Sequence, residues 1–438
     1  MTGRLTRRGA LALLGTLAGC SGVNPLSSGS EEVDLDGAAI RALADGSVPA
    51  APRRLPIDVG SDHLAATERR ARRLLDAVPA SLGPDEIPNG AIRKRVRHAR
   101  EHAAESLSEA TAAPTPFERL EAFADARADA RFAAAAWRAV DEGLTRDDLA
   151  EEIEAVREDR RAFRERWRHV GADPVDATRV HAAIEQRIDH PGPDVGGDPR
   201  RYRPGNPLGV GEIAEEIEQA RVAVDDAAHL YDRLTASLDD PTDLRPRLVD
   251  ARRRLREAFE AEQADLSSVD PEEPWRIEGA DVDVDVEETP AAEALDELFR
   301  PINPEYDEGW EETTPARALT WAHAAFVTLN AFTSLRERVR EGETFALDSA
   351  DDVAAVRTAA VEALRWAEEN PAEPTLTRLS TPDLSDQLTW VDEELRSVDD
   401  TVHAAWLRND VATYLTVEAR SRTTPPASRR VAEALRGG

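Results

Sequence analysis

Cysteine, methionine and lysine each occur once in the 438 residues, as Cys20, Met1 and Lys94. A single thiol permits neither an internal disulfide nor a cysteine-based zinc cluster. Aromatic residues make up only 5% of the chain. No run of about twenty apolar residues occurs, which excludes a multispanning membrane protein. Basic residues are outnumbered 55 to 86 by acidic ones, for a net charge of −31. That balance argues against a surface that grips nucleic acid, because such affinity comes from neutralising phosphates. Also missing are G-x-S-x-G, a Walker loop, a Rossmann glycine pattern and any alternation of strands with helices. Their absence weighs against α/β hydrolases, ATPases and α/β solute receptors. The length allows a sizeable core and more than one domain.

The first twenty residues are what an export signal requires. Arg4, Arg7 and Arg8 form a basic start, Gly9 to Leu17 a short apolar stretch, and Ala18-Gly19-Cys20 a small-residue end. The stretch is too short to span a bilayer as a mature helix. Thr6-Arg7-Arg8-Gly9-Ala10-Leu11 resembles a twin-arginine export signal, and Leu17-Ala18-Gly19-Cys20 resembles a lipobox. The resemblance implies that residues 1–19 are removed and that Cys20 carries covalent lipid as the first mature residue. Residues 20–60 are then expected as lipidated cysteine and tether, most clearly in the Gly/Ser-rich Ser21–Glu32. An acidic chain with almost no lysine resembles proteins of extremely halophilic archaea, in which carboxylates hold water and concentrated salt screens their repulsion.

Behind the tether the sequence reads as helix after helix, an all-α fold of antiparallel bundles and αα-hairpins. Arg, Ala, Glu, Asp and Leu dominate. Apolar residues keep helical spacing from Leu149 through Ile153, Val156 and Phe163 to Trp167 and Val170, behind a Thr145-x-x-Asp148 cap. The same stripe runs from Ile213 to Leu238, and again over Leu388, Val391, Leu395, Val398, Val402 and Ala405. Pro114 and Pro116 precede a helix reaching about Gly143, and Asp239-Asp240-Pro241 joins two helices. Pro425 and Pro426 are expected to end the last helix within Ser421–Pro426. A Gly/Pro-dense stretch over 190–209 and a step in charge, from −4 over 61–190 to −27 over 191–438, place a boundary there.

Candidate chemistry is sparse, and no residue set is assigned to catalysis. His98-x-x-Glu101-His102 matches the inverzincin pattern, in which two imidazoles one turn apart share a metal and the glutamate serves as base. Arg93, Lys94, Arg95, Arg97 and Arg100 surround it, which disfavours a dication, and the apolar stripe turns His98 outward. Asp226-x-x-His229 and Asp400-x-x-His403 echo the pairs of di-iron bundles, but both histidines fall on outward positions. His323 lies on an apolar face, as a hydrogen-bonded core histidine does. Asp281-Val282-Asp283-Val284-Asp285-Val286-Glu287 alternates and fails the calcium-loop template, so it reads as a short strand near 282–287. Weak cation binding by its acidic face is the alternative.

Three functions compete. The first is a non-enzymatic binding or scaffolding lipoprotein on the outer face of the cytoplasmic membrane. Its partners are the membrane, through the lipid, and surface proteins, but no nucleic acid. It needs no cofactor beyond the lipid on Cys20. The second is a metal-binding or metallohydrolase bundle built on His98, Glu101 and His102. The third is a helical receptor with a pocket lined by Trp310, Trp321, Trp366, Trp390 and Trp406.

Overall fold

The computed structural model describes residues 33–189, 205–277, 286–303 and 314–437. Across these residues the chain is all-α, with thirteen helices and four strands of two or three residues. None of the helices among them is long and apolar enough to cross a membrane.

Local chemistry sets the helix starts. Asp36 caps α1 (Gly37–Leu43), accepting from the Ala38 amide at 2.9 Å. Asn89 caps α3 (Gly90–Ala112), which follows α2 (Ser61–Asp76). Thr115 and Glu118 form the capping pair of α4 (Pro116–Asp141), with proline in the first turn where a missing N–H costs nothing. Then come α5 (Ala150–Arg166), α6 (Pro174–Ile188) and α7 (Pro207–Ala236). The alanine-rich α4 packs against α2, α3 and α7, and α5 lies on α7. In the second half α13 (Arg408–Arg436) is the central helix. It touches α8 (Arg245–Ala264), α9 (Pro290–Phe299), α10 (Pro315–Arg340), α11 (Ala350–Glu369) and α12 (Pro374–Leu395). The helix α6 joins the halves, meeting α7 on one side and α10, α12 and α13 on the other.

Two small antiparallel ladders tie distant segments. β1 (Asp34–Asp36) pairs with β4 (Thr401–His403), and β2 (Val170–Gly171) with β3 (Thr242–Asp243). Gly37 and Gly171 permit the close approaches involved. A Cβ on Gly37 would lie 1.8 Å from the Asp399 carbonyl oxygen, and one on Gly171 would lie 2.4 Å from Ala177 Cβ.

Several expectations change here. Residues 33–60 are a strap bound to both halves rather than free tether. Arg357 donates to the Gly46 carbonyl, Ser385 to that of Pro49, and Arg53 reaches Asp383 and Asp386. The 388–405 stripe is helical only to Leu395, and Val402 belongs to β4, where period-two alternation buries it. Trp167 and Val170 likewise lie beyond the end of α5, and Val170 belongs to β2. The helix α7 falls beyond the charge step near 190–210, yet it packs on α4 with the first half.

Pro425 and Pro426 do not end α13, which runs through them to Arg436. Each proline removes one helix donor, leaving the Ser421 and Arg422 carbonyls without their helical partners, and packing of α13 against α9, α10, α11 and α12 holds the helix through this turn. Beside them Thr424 donates to the Arg420 carbonyl at 2.7 Å, and the Thr423 hydroxyl lies 2.9 Å from the Val327 carbonyl on α10. The four strands among the described residues lie away from 282–287. Residues 281–285 of the alternating acidic segment lie outside the described residues, while Val286 is buried and Glu287 sits in a turn.

Candidate functional site: a cleft between α10, α12 and α13

A cleft of about 520 Å³ opens where these three helices meet. Its apolar wall is Trp321, Ala324 and Val327 on α10 with Leu379 and Leu384 on α12. Polar groups at the rim are Arg317, Ser380, Asp383 and Gln387, and Arg420 reaches it from α13. The Arg420 side chain is only 18% exposed, and its nearest carboxylate, Glu297, stands 4.0 Å away. The buried Nε has no hydrogen-bond partner among the described residues. Burial pushes the guanidinium below its ordinary range, and Glu297 offsets this only in part. The neighbouring charges are committed elsewhere: Arg53 holds Asp383 at 2.6 Å, and Arg317 lies 3.3 Å from Asp189. Arg420 is thus a desolvated cation at a cavity wall, with acceptor capacity wanting.

Behind that wall His323 is fully buried, as its place on an apolar face implied. Its Nε2 lies 2.9 Å from Ser428 Oγ and its Nδ1 3.4 Å from Ser380 Oγ. Ser428 spends its proton on the Thr424 carbonyl, so His323 Nε2–H donates and Nδ1 accepts from Ser380. Burial holds this imidazole at about 4, so it is neutral. Ser380 lies inside α12, where backbone N–H groups are spent on the helix. It therefore offers the cleft a hydroxyl, without the paired backbone donors of an oxyanion hole.

The other sequence candidates lie apart from the cleft. His98, Glu101 and His102 are exposed on α3; the two rings meet edge to face at 4.2 Å and Glu101 pairs with Arg97. Among the described residues no group of three or more His, Cys, Asp or Glu could hold a metal ion. Asp226 is buried, and it engages His63 of α2 at 2.7 Å rather than sharing a site with His229. His229 stacks flat on His63 at 4.1 Å and accepts from the Gly60 amide at 3.1 Å, fastening the strap. Asp400 accepts from Arg41, while His403 lies in β4, not on a helix, 2.6 Å from Asp34. Of the five tryptophans, Trp321 lines the cleft and Trp366, Trp390 and Trp406 face solvent; Trp310 lies outside the described residues. Arg420 escaped sequence reasoning because one arginine among many carries no mark of where its helix will place it.

Titratable groups give a testable pH signature. Burial holds His181 and His323 at about 4, while unfolded histidine titrates near 6.5. Their contribution to stability is complete above about pH 6.5 and is lost as pH falls towards 4. Burial, then Asp129, pushes Glu215 up to about 7; burial, then Glu394, pushes Asp410 up to about 6. For these carboxyls stability is complete below their unfolded values, near pH 4, and is lost as pH rises through 6 and 7. The two trends oppose each other between about pH 4.5 and 6.5. Wild-type melting should therefore change little across that window. The Glu215→Gln/Asp410→Asn double variant, stripped of the opposing trend, should lose about 4 kcal/mol on acidification over the same range. A flat profile in the double variant would refute the assignment.

The family model described as Domain of unknown function (DUF8262) matches residues 62–240. That described as Domain of unknown function (DUF8264) matches residues 245–433, which contain the whole cleft. The interval between them is the β3 turn joining α7 to α8. No curated protein and no solved structure matches the chain.

Proposed function

We propose that the chain is an exported, lipid-anchored binding protein that works without turnover, and that the α10–α12–α13 cleft takes a small organic anion. The observation that carries the ligand class is Arg420, a largely buried cation at the cavity wall whose nearest carboxylate is 4.0 Å away. A carboxylate or phosphate would supply the charge-assisted hydrogen bonds it lacks. Trp321 and the leucines beside it suit a flat or apolar remainder, and the cavity is of a size for one small molecule. Anchoring rests on the ordered pair of signals, Arg7-Arg8 and then Leu17-Ala18-Gly19-Cys20. The acidic composition fits a body that works in concentrated salt at the outer face of the cytoplasmic membrane.

Indole-3-acetate and its uncharged amide, indole-3-acetamide, form a matched pair of probes for the cleft. In calorimetric titration the carboxylate should bind and the amide should bind at least tenfold more weakly. Arg420→Gln should abolish the difference. Equal binding of the two probes, or an unchanged preference in Arg420→Gln, would remove the anion reading. Mass spectrometry of the membrane-extracted protein should find Cys20 as the lipidated first residue; an intact Met1 or a free thiol would defeat the anchor.

A further inference from the structure

We propose that the end of the body where the tether enters docks on the lipid surface, with Trp406 as the side chain that enters it. This rests on the lipid anchor at Cys20 proposed above and adds to it an orientation. The strap's first described residue, Val33, is fixed by the β1–β4 ladder, in which Asp34 stands opposite His403. The Ala404 amide donates to the Val33 carbonyl at 2.9 Å. Trp406 follows two residues later, in the 3-10 turn Ala404–Leu407 that leads into α13. Its ring meets His403 edge-on at 4.8 Å and remains 69% exposed, more than the other exposed large hydrophobic side chains among the described residues. An indole has an apolar body and one N–H, a combination that settles at the boundary of lipid and water.

The chain outside the structure places that indole. Thirteen residue steps separate Cys20 from Val33, so the strap begins within about 45 Å of the lipidated residue even at full extension. One aromatic contact is too weak to hold a free protein. On a tethered one the contact is intramolecular, with an effective concentration in the millimolar range. The charge nearby makes the docking dependent on salt in an unusual sense. Asp34, Asp36, Asp399 and Asp400 are exposed at this end, and Arg41 answers only Asp400. Anionic lipid repels them at low salt, whereas about 1 M salt shortens the screening length to about 3 Å. Docking should therefore strengthen as salt rises, the reverse of a basic patch.

Because Cys20 is the chain's own single cysteine and the lipid blocks it, Ala405→Cys gives one free thiol for a nitroxide label. The lipidated full-length protein would be placed on phosphatidylcholine–phosphatidylglycerol vesicles in high salt. Flotation would establish anchoring, and accessibility to oxygen against a water-soluble nickel chelate would report depth. The label should become several-fold more accessible to oxygen relative to nickel than in the released protein. Trp406→Ser, or dilution to low salt, should reverse this while flotation persists. Flotation with a label that stays accessible to nickel overturns the docking and leaves the anchor standing. So does a lipid signal unchanged by Trp406→Ser. Failure to float overturns the anchor and the docking together.

Discussion

Glu218→Ala should destabilise the first half by about 3–5 kcal/mol, the cost of removing one partner from a buried ion cluster. The Glu218 side chain on α7 is fully buried. Arg127 of α4 lies 2.8 Å from it, and Arg70 of α2 and Arg221 of α7 each lie 3.0 Å away. Burial pushes its carboxyl up, but the guanidiniums of Arg70 and Arg127 overcome this and hold it at about 2. Without the carboxylate, Arg127 stays inside with only Asp225 at 3.5 Å. Thermal melting should fall by roughly 10 °C. A Glu218→Leu/Arg127→Met double variant should recover much of the loss, because two apolar side chains replace a pair at little net cost. A loss below about 1 kcal/mol in Glu218→Ala would mean the cluster is not buried as described.

Glu185→Ala should cost about 2–4 kcal/mol and, more tellingly, loosen the two halves from each other. Glu185 on α6 is buried with its oxygens 3.3 Å from the Ala316 amide and 2.7 Å from that of Arg317. It also takes His169 Nε2 at 2.7 Å. Helix N-termini leave amides unpaired and carry positive dipole charge, so a carboxylate from the other half is a strong cap. Its loss strands two amides across the junction and His169 on its own side. Amide hydrogen exchange should accelerate first in the opening turn of α10, and the melt should divide into two steps. Glu185→Gln, which keeps one acceptor oxygen, should do less. A single transition with unaltered exchange at Ala316 and Arg317 would show that the halves are joined by other contacts.

How far the fold was legible can be read from particular residues. The stripe from Ile213 to Leu234 faces the core because helical spacing leaves it no other way to leave water. The Val398–Ala405 continuation failed because the same spacing is silent about a competing strand. Only Val33–Asp36, far away in sequence, could draw Val402 into a ladder. Pro425 and Pro426 misled for a related reason. The rule that proline ends a helix weighs only the lost donors and the local clash, whereas here α13 is packed against α9, α10, α11 and α12, which hold it through the prolines. The buried place of His323 was readable from its apolar face. Its tautomer was not, since Ser380 and Ser428 come from other helices.

The sequence by itself determined what depends on neighbours along the chain: the acidic composition and the helical class with most of its caps and core faces. Tertiary structure decided what depends on distance through space. It bound residues 33–60 as a strap, sent Glu185 to the start of α10, and left Arg420 at the wall of a cleft with its nearest carboxylate 4.0 Å away. Periodicity and capping are local free energies, fixed within a few turns of helix. The cost of a buried charge is set by whichever partners packing brings to it, and spacing along the chain does not encode them.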